Sequence, residues 1–269
     1  MRPSFVNQAK PFIASVITES DPDSAIATIR NSEYDGANAF DLHLRSLERQ
    51  YHNRDDLERI IKCTNKPMLM INYRSDNKWS GQATDEERVA SHLTAVDAGA
   101  SACDLMGDLF DPSPMELTRK PEAIDKQKRL IDKLHGLGAE VLMSSHTWVH
   151  MTTEQVVEHL KELESRGADM VKVAASVNSE DELLEAFQTT VTLKRELKVP
   201  FVHICMGSYG KLHRFVGPML GSSLIFTVQQ YTPKGHKEQP LVRAAKAVLD
   251  NLDWHVDRRT LEQGGQQKK

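Results

Sequence analysis

Short apolar runs alternate with longer amphipathic stretches from one end of the chain to the other. Runs at 12–18, 37–44, 67–73, 102–106, 141–145, 170–174, 201–206 and 224–228 are short and largely apolar, which predicts eight strands. Between them, stretches such as 123–137, 153–166 and 179–197 place apolar residues at i, i+3 and i+4, the period of a helix with one buried face. Asp21 before Pro22, Thr84 before Asp85, Thr152 and Ser179 read as N-caps, because their oxygens can accept from the free amides of a first turn.

A weak internal repeat supports the count. Gly-Ala recurs just ahead of strands in "DGANAFDL", "AGASACDL", "GLGAEVLM" and "SRGADMVKV". Glycine there closes the preceding helix before the chain enters a sheet. Eight strands, each followed by a helix or room for one, predict an α/β fold, a (β/α)8 TIM barrel. No linker divides the chain, so a single barrel domain over 1–262 and a disordered tail over 263–269 ("EQGGQQKK" at its edge) are expected.

Composition narrows the partners. The 269 residues are 39% hydrophobic and 27% charged, with a net charge of −4, which gives no electrostatic reason to expect nucleic acid or an anionic membrane. Cys63, Cys103 and Cys205 are far apart and odd in number, as in a reduced cytoplasmic protein. No apolar run approaches the ~18 residues of a membrane span, and the N-terminus lacks a signal peptide's apolar region.

Active sites of such barrels lie at the C-terminal ends of the strands. The polar residues there are Asp41, His43, Arg74, Asp104, His146, Lys172 and, after the seventh strand, Arg214. In "MVKVA", the period of two puts Lys172 on one face with Met170 and Ala174, the face toward the barrel interior. In "VLMSSHTW", His146 shares a face with Ser144 and Leu142. Neighbouring strands are about 4.8 Å apart, so Lys172 and His146 can address one substrate atom. An amine kept neutral by desolvation attacks a ketone, the resulting iminium withdraws electrons, and the imidazole moves protons.

These residues also carry a resemblance. "VLMSSHTW", the lysine of "GADMVKVA" 26 residues after His146, and "VHICMGSYGKLHRFVGPMLGSSLIFT" are similar to motifs of type I 3-dehydroquinate dehydratase. "DGANAFDLHL" and "KPMLMINYRS" extend the likeness into the first half. The resemblance implies a cytoplasmic, homodimeric barrel that uses no metal or cofactor and binds a small carboxylate substrate. It converts 3-dehydroquinate to 3-dehydroshikimate through a lysine imine. By motif, Lys172 is then the imine lysine and His146 the proton-transfer residue, while Arg214 holds the carboxylate and Arg74 a substrate oxygen.

The chain departs from that pattern at three places. The family's Glu-x-Arg that reads a substrate hydroxyl is Asp41-Leu42-His43 here. The glutamate that orients the catalytic histidine falls on Lys78, with Asp76 as the substitute. The last Ser-Ala-Pro-Gly-Gln motif is replaced by "YTPKGHKEQPL"; an ungapped count puts Gln239 on its glutamine, a gapped one His236. Losing a hydroxyl's partner costs about 1–3 kcal/mol, so a closely related β-hydroxy ketone acid is a second candidate substrate. Other readings are a lysine-imine aldolase, metal hydrolysis through His146, His150, His203 and His213, and a barrel that binds without turnover. Trp79 reads as a lid residue. Met68, Met70, Met143 and Cys205 read as core.

Overall fold

The computed structural model describes residues 2–7, 10–74, 83–232 and 238–252. Asp76, Lys78, Trp79, His236 and the 263–269 tail lie outside them. Eight parallel strands, β1 (Phe12–Ile17), β2 (Ala39–His43), β3 (Met68–Ile71), β4 (Ala102–Met106), β5 (Glu140–His146), β6 (Met170–Ser176), β7 (Phe201–Met206) and β8 (Leu224–Thr227), pair in the order β7-β6-β5-β4-β3-β2-β1-β8. The sheet curls until Ser223 N donates to Phe201 O at 2.8 Å, linking the start of β8 to β7 and bringing the barrel close to closure. The eight predicted strands are all present. Several bounds shift by one or two residues, and β6 runs past its predicted end because Ser176 still pairs with Met206.

Among the described residues eight α-helices alternate with them: α1 (Pro22–Tyr34), α2 (Arg54–Ile61), α3 (Asp85–Asp97), α4 (Pro121–Gly136), α5 (Thr153–Glu164), α6 (Glu180–Glu196), α7 (Gly210–Leu220) and α8 (Val242–Asn251). All four expected caps form. Asp21 and Ser179 accept from backbone amides of their first turns, while Thr84 and Thr152 complete reciprocal capping boxes with Glu87 and Gln155. The repeat glycines Gly36, Gly99, Gly138 and Gly167 have φ of +106°, +109°, +79° and +96°, a left-handed region in which a β-carbon is strained.

Strand alternation sorts the side chains into two cores. Phe12, Ala14, Leu69, Leu142, Met170 and Leu224 fill the barrel, and Phe5 covers its lower end. Glu140 fixes that cover by accepting from Phe5 N at 2.7 Å and from the Ser4 hydroxyl. The opposite faces pack against the helices, where Met68 and Met70 lie in one shell and Met143 in another. With its lower half filled, the barrel leaves room only at the upper, C-terminal end. Among the described residues no helix is long and apolar enough to cross a membrane.

Candidate active site

The upper end holds a cavity of about 750 Å³. Lys172 and His146 both line it, as the period-two reading of β5 and β6 requires. Ser144 is level with Lys172 in the sheet register, and His146 is one inward position higher, level with Ala174.

The amine of Lys172 is only 3% exposed, yet it is not alone. Its Nζ lies 2.8 Å from Oδ2 of Asp104, itself buried on β4, and the other oxygen of that carboxylate accepts from the Ser144 hydroxyl. The lysine that the sequence reading left as a desolvated amine thus has a carboxylate partner, in a set of contacts that spans β4, β5 and β6. A buried ammonium needs such a partner. Asp104 was on the list of strand-end residues; only the closed barrel gives it this task.

His146 is buried enough that its pKa falls below the ordinary value, although neighbouring Glu116 pulls the other way. It is therefore neutral at neutral pH, as a base must be. Glu116 comes from the loop between β4 and α4. Its Oε2 lies 3.4 Å from His146 Nδ1, an ion-pair distance rather than a well-formed hydrogen bond. The same oxygen accepts from His146 N at 2.6 Å and from the Tyr73 hydroxyl at 2.5 Å. Burial raises the Tyr73 phenol well above its usual pKa, and the Glu116 and Asp104 charges add to this, so Tyr73 stays a donor. Burial alone would also raise the pKa of Glu116, but the contacts to His146 and Tyr73 outweigh it and the net shift is downward.

The remaining expected residues all reach the wall. Arg214, in the second turn of α7, lines the cavity with a buried Nε that has no hydrogen-bond partner among the described residues. Glu238 and Gln239 line the wall as well. Asp41 and His43, two apart on β2, pair at 3.1 Å through Oδ2 and Nε2. Their other polar atoms, Asp41 Oδ1 and His43 Nδ1, are buried without a hydrogen bond among the described residues. Arg74 reaches the wall with its terminal nitrogens engaged. NH1 donates to Asp108 at 2.6 Å, and NH2 to Asp85 at 2.7 Å and to the Asp108 carbonyl at 3.1 Å.

Among the lining residues that the sequence reading did not single out, Arg45, Tyr73 and Glu116 bear on the chemistry. Arg45 continues the inward series Asp41, His43, Arg45, so extending the alternation of "DLHLR" by one step would have found it. Tyr73 likewise follows Ile71 on the inward face. Glu116 had no signal, being a loop residue ten positions past the end of its strand.

The histidines weighed for a metal do not converge. His146 faces the cavity, while His150 pairs with Glu185 at 3.2 Å. His203, Cys205 and His213 do cluster, with ligand atoms within 4.8 Å of one another, but behind β7 against the outer helices. There the Thr190 hydroxyl oxygen lies 2.9 Å from a nitrogen of each ring, occupying the space between them.

Comparison with known proteins agrees with this geometry. Residues 13–253 match the family model of type I 3-dehydroquinase. The chain belongs to the type I 3-dehydroquinase family. A 3-dehydroquinate dehydratase of Klebsiella pneumoniae subsp. pneumoniae is 30% identical over 190 residues, 68% of this chain and 69% of that one. One of Alkaliphilus oremlandii is 30% identical over 110 residues, but these are only 40% of this chain and 43% of the relative. Among solved structures, a type I 3-dehydroquinate dehydratase of Clostridium difficile superposes with a TM-score of 0.75 at 16% identity, covering 91% of this chain and 93% of that one. The enzyme of Enterococcus faecalis gives 0.72 at 18% identity, with 94% and 100% covered. At these identities the superpositions show the barrel fold alone, and the family match carries the relationship.

Proposed function

We propose that the protein is a hydro-lyase that dehydrates 3-dehydroquinate to 3-dehydroshikimate through an imine on Lys172. The observation that carries this reading is Lys172, buried and paired with Asp104, lining one cavity with a neutral His146. Family membership supplies the substrate.

Lys172 loses a proton, which Asp104 at 2.8 Å is placed to accept, and its free amine adds to the substrate ketone. Loss of water from that adduct gives the iminium. Its positive charge draws electrons from the neighbouring C–H bond as His146 takes the proton, forming an enamine. The enamine then expels the β-hydroxyl, which leaves as water with the proton returned by His146. Hydrolysis of the product imine frees Lys172, so the sum is substrate going to enone plus one water.

Arg214 takes the carboxylate, its unpartnered Nε being available for a two-point contact that lysine cannot copy. Arg214→Lys is expected to lower kcat/KM about 10- to 100-fold, the size of one or two hydrogen bonds to charge. Steady-state kinetics should assign most of that loss to KM. Asp41 Oδ1 and His43 Nδ1 are the available partners for ring hydroxyls, with Gln239 on the same wall. As the resemblance implies, the enzyme works as a cytoplasmic homodimer.

Enone absorbance in the ultraviolet, followed after mixing purified protein with 3-dehydroquinate, tests the proposal. Growth of that band is expected. Its absence at high enzyme concentration would reject this substrate, and the imine would then be sought with other β-hydroxy ketone acids.

A further inference from the structure

We propose that Glu116 is the positioning residue for His146, carried by the β4–α4 loop and shared with Tyr73. The inference rests on His146 being the base. The sequence reading offered Asp76 as a substitute for the family's orienting glutamate. Glu116 comes instead from the loop between β4 and α4 and reaches the histidine from its Nδ1 side.

The loop is built to put it there. Glu116 has a φ of +48°, a left-handed conformation that a glutamate adopts only when its surroundings impose it. Its amide donates to Ser113 O at 3.0 Å, and its carbonyl accepts from the Ser145 hydroxyl at 2.7 Å, next to His146 in sequence. Gly107 makes room, since a β-carbon there would fall 2.6 Å from the Glu116 carbonyl. Arg166, almost wholly buried, donates to the carbonyls of Gly107 and Thr118 at 2.7 Å each and so ties the two ends of the loop together. Asp108 accepts from Ser113 N at 2.7 Å and is held in turn by Arg74. Both terminal nitrogens of Arg74 therefore hold Asp108 of this loop, and NH2 also donates to Asp85 of α3.

The consequence for His146 is directional. A carboxylate beside Nδ1 favours the tautomer with its proton there and leaves Nε2 with the basic lone pair. Tyr73 stands edge-on to the imidazole, with ring centroids 4.4 Å apart, and its hydroxyl on Glu116 fixes the carboxylate's rotation.

The test reads the imidazole itself, without substrate. In nitrogen-15 NMR of the full-length protein, His146 should show a proton on Nδ1. Glu116→Gln keeps oxygen acceptors for His146 N and Tyr73 but loses the charge, so the His146 titration should move to lower pH and the Nδ1 tautomer should become less populated. Tyr73→Phe removes a donor from the carboxylate and leaves more of its charge for the imidazole, so the titration should move to higher pH. In kinetics, Glu116→Gln should lower kcat about 10²- to 10⁴-fold with little change in KM, the scale lost when an orienting carboxylate becomes an amide. Its acid limb should move in the same direction as the NMR titration. An unshifted His146 titration in Glu116→Gln, or shifts of one sign in both variants, would overturn the proposal. Because the titration needs no substrate, this outcome is separate from a failure to turn over 3-dehydroquinate.

Discussion

Lys172→Met should lower kcat by at least about 10⁴-fold, the scale on which catalysis fails when a covalent nucleophile is removed. In wild type, borohydride added during turnover should reduce the iminium and leave a substrate-sized adduct, seen by intact mass. In Lys172→Met no adduct should form, and one that persisted would reject the assignment. Stability should fall too. Methionine has nearly the right volume but leaves the Asp104 carboxylate buried without its cation, which costs about 3–5 kcal/mol. Chemical denaturation should show that loss, and Lys172→Met with Asp104→Asn should recover most of it with no recovery of activity. That contrast separates the chemical role of the lysine from its place in the core.

The second large effect belongs to His146. His146→Gln should lower kcat about 10²- to 10⁴-fold, the usual contribution of a positioned acid–base group. Here the borohydride adduct should still form, since Lys172 and Asp104 are intact. The variant would build the imine and stall before proton removal. Loss of trapping together with turnover would instead place His146 in imine formation. The wild-type pH profile follows from its burial. His146 acts as base in its neutral form, which exists above its pKa. Burial lowers that pKa from the usual 6.5, so the acid limb of kcat/KM, which reports the free enzyme, should lie below that value. An acid limb above it would count against His146 as the base.

Alternation was a sound guide wherever the backbone is a strand. It put Lys172 and His146 on the inward face, and both line the cavity, as do the strand-end residues Asp41 and His43. The same rule carried one step further would have reached Arg45 and Tyr73. It could not reach Glu116, because no period governs a loop. Its place depends on Gly107 admitting its carbonyl and on Arg166 tying the loop's ends. Arg74 shows the converse. Its position at the end of β3 was legible, but its occupation by Asp85 and Asp108 was not, since those partners come from two other segments.

The sequence by itself determined the eight strands, the inward faces of β5 and β6, the helix caps and the candidate pair of lysine and histidine. These follow from hydrophobic period and local hydrogen bonding, which act over a few neighbouring residues. The tertiary structure decided the partners. Asp104 lies 68 positions from Lys172, and Glu116 lies 30 from His146. Closing the sheet brings β4 and the loop after it against β5 and β6. Charge state and tautomer are set by what lies within a few ångströms, and for this lysine and this histidine those neighbours come from other strands.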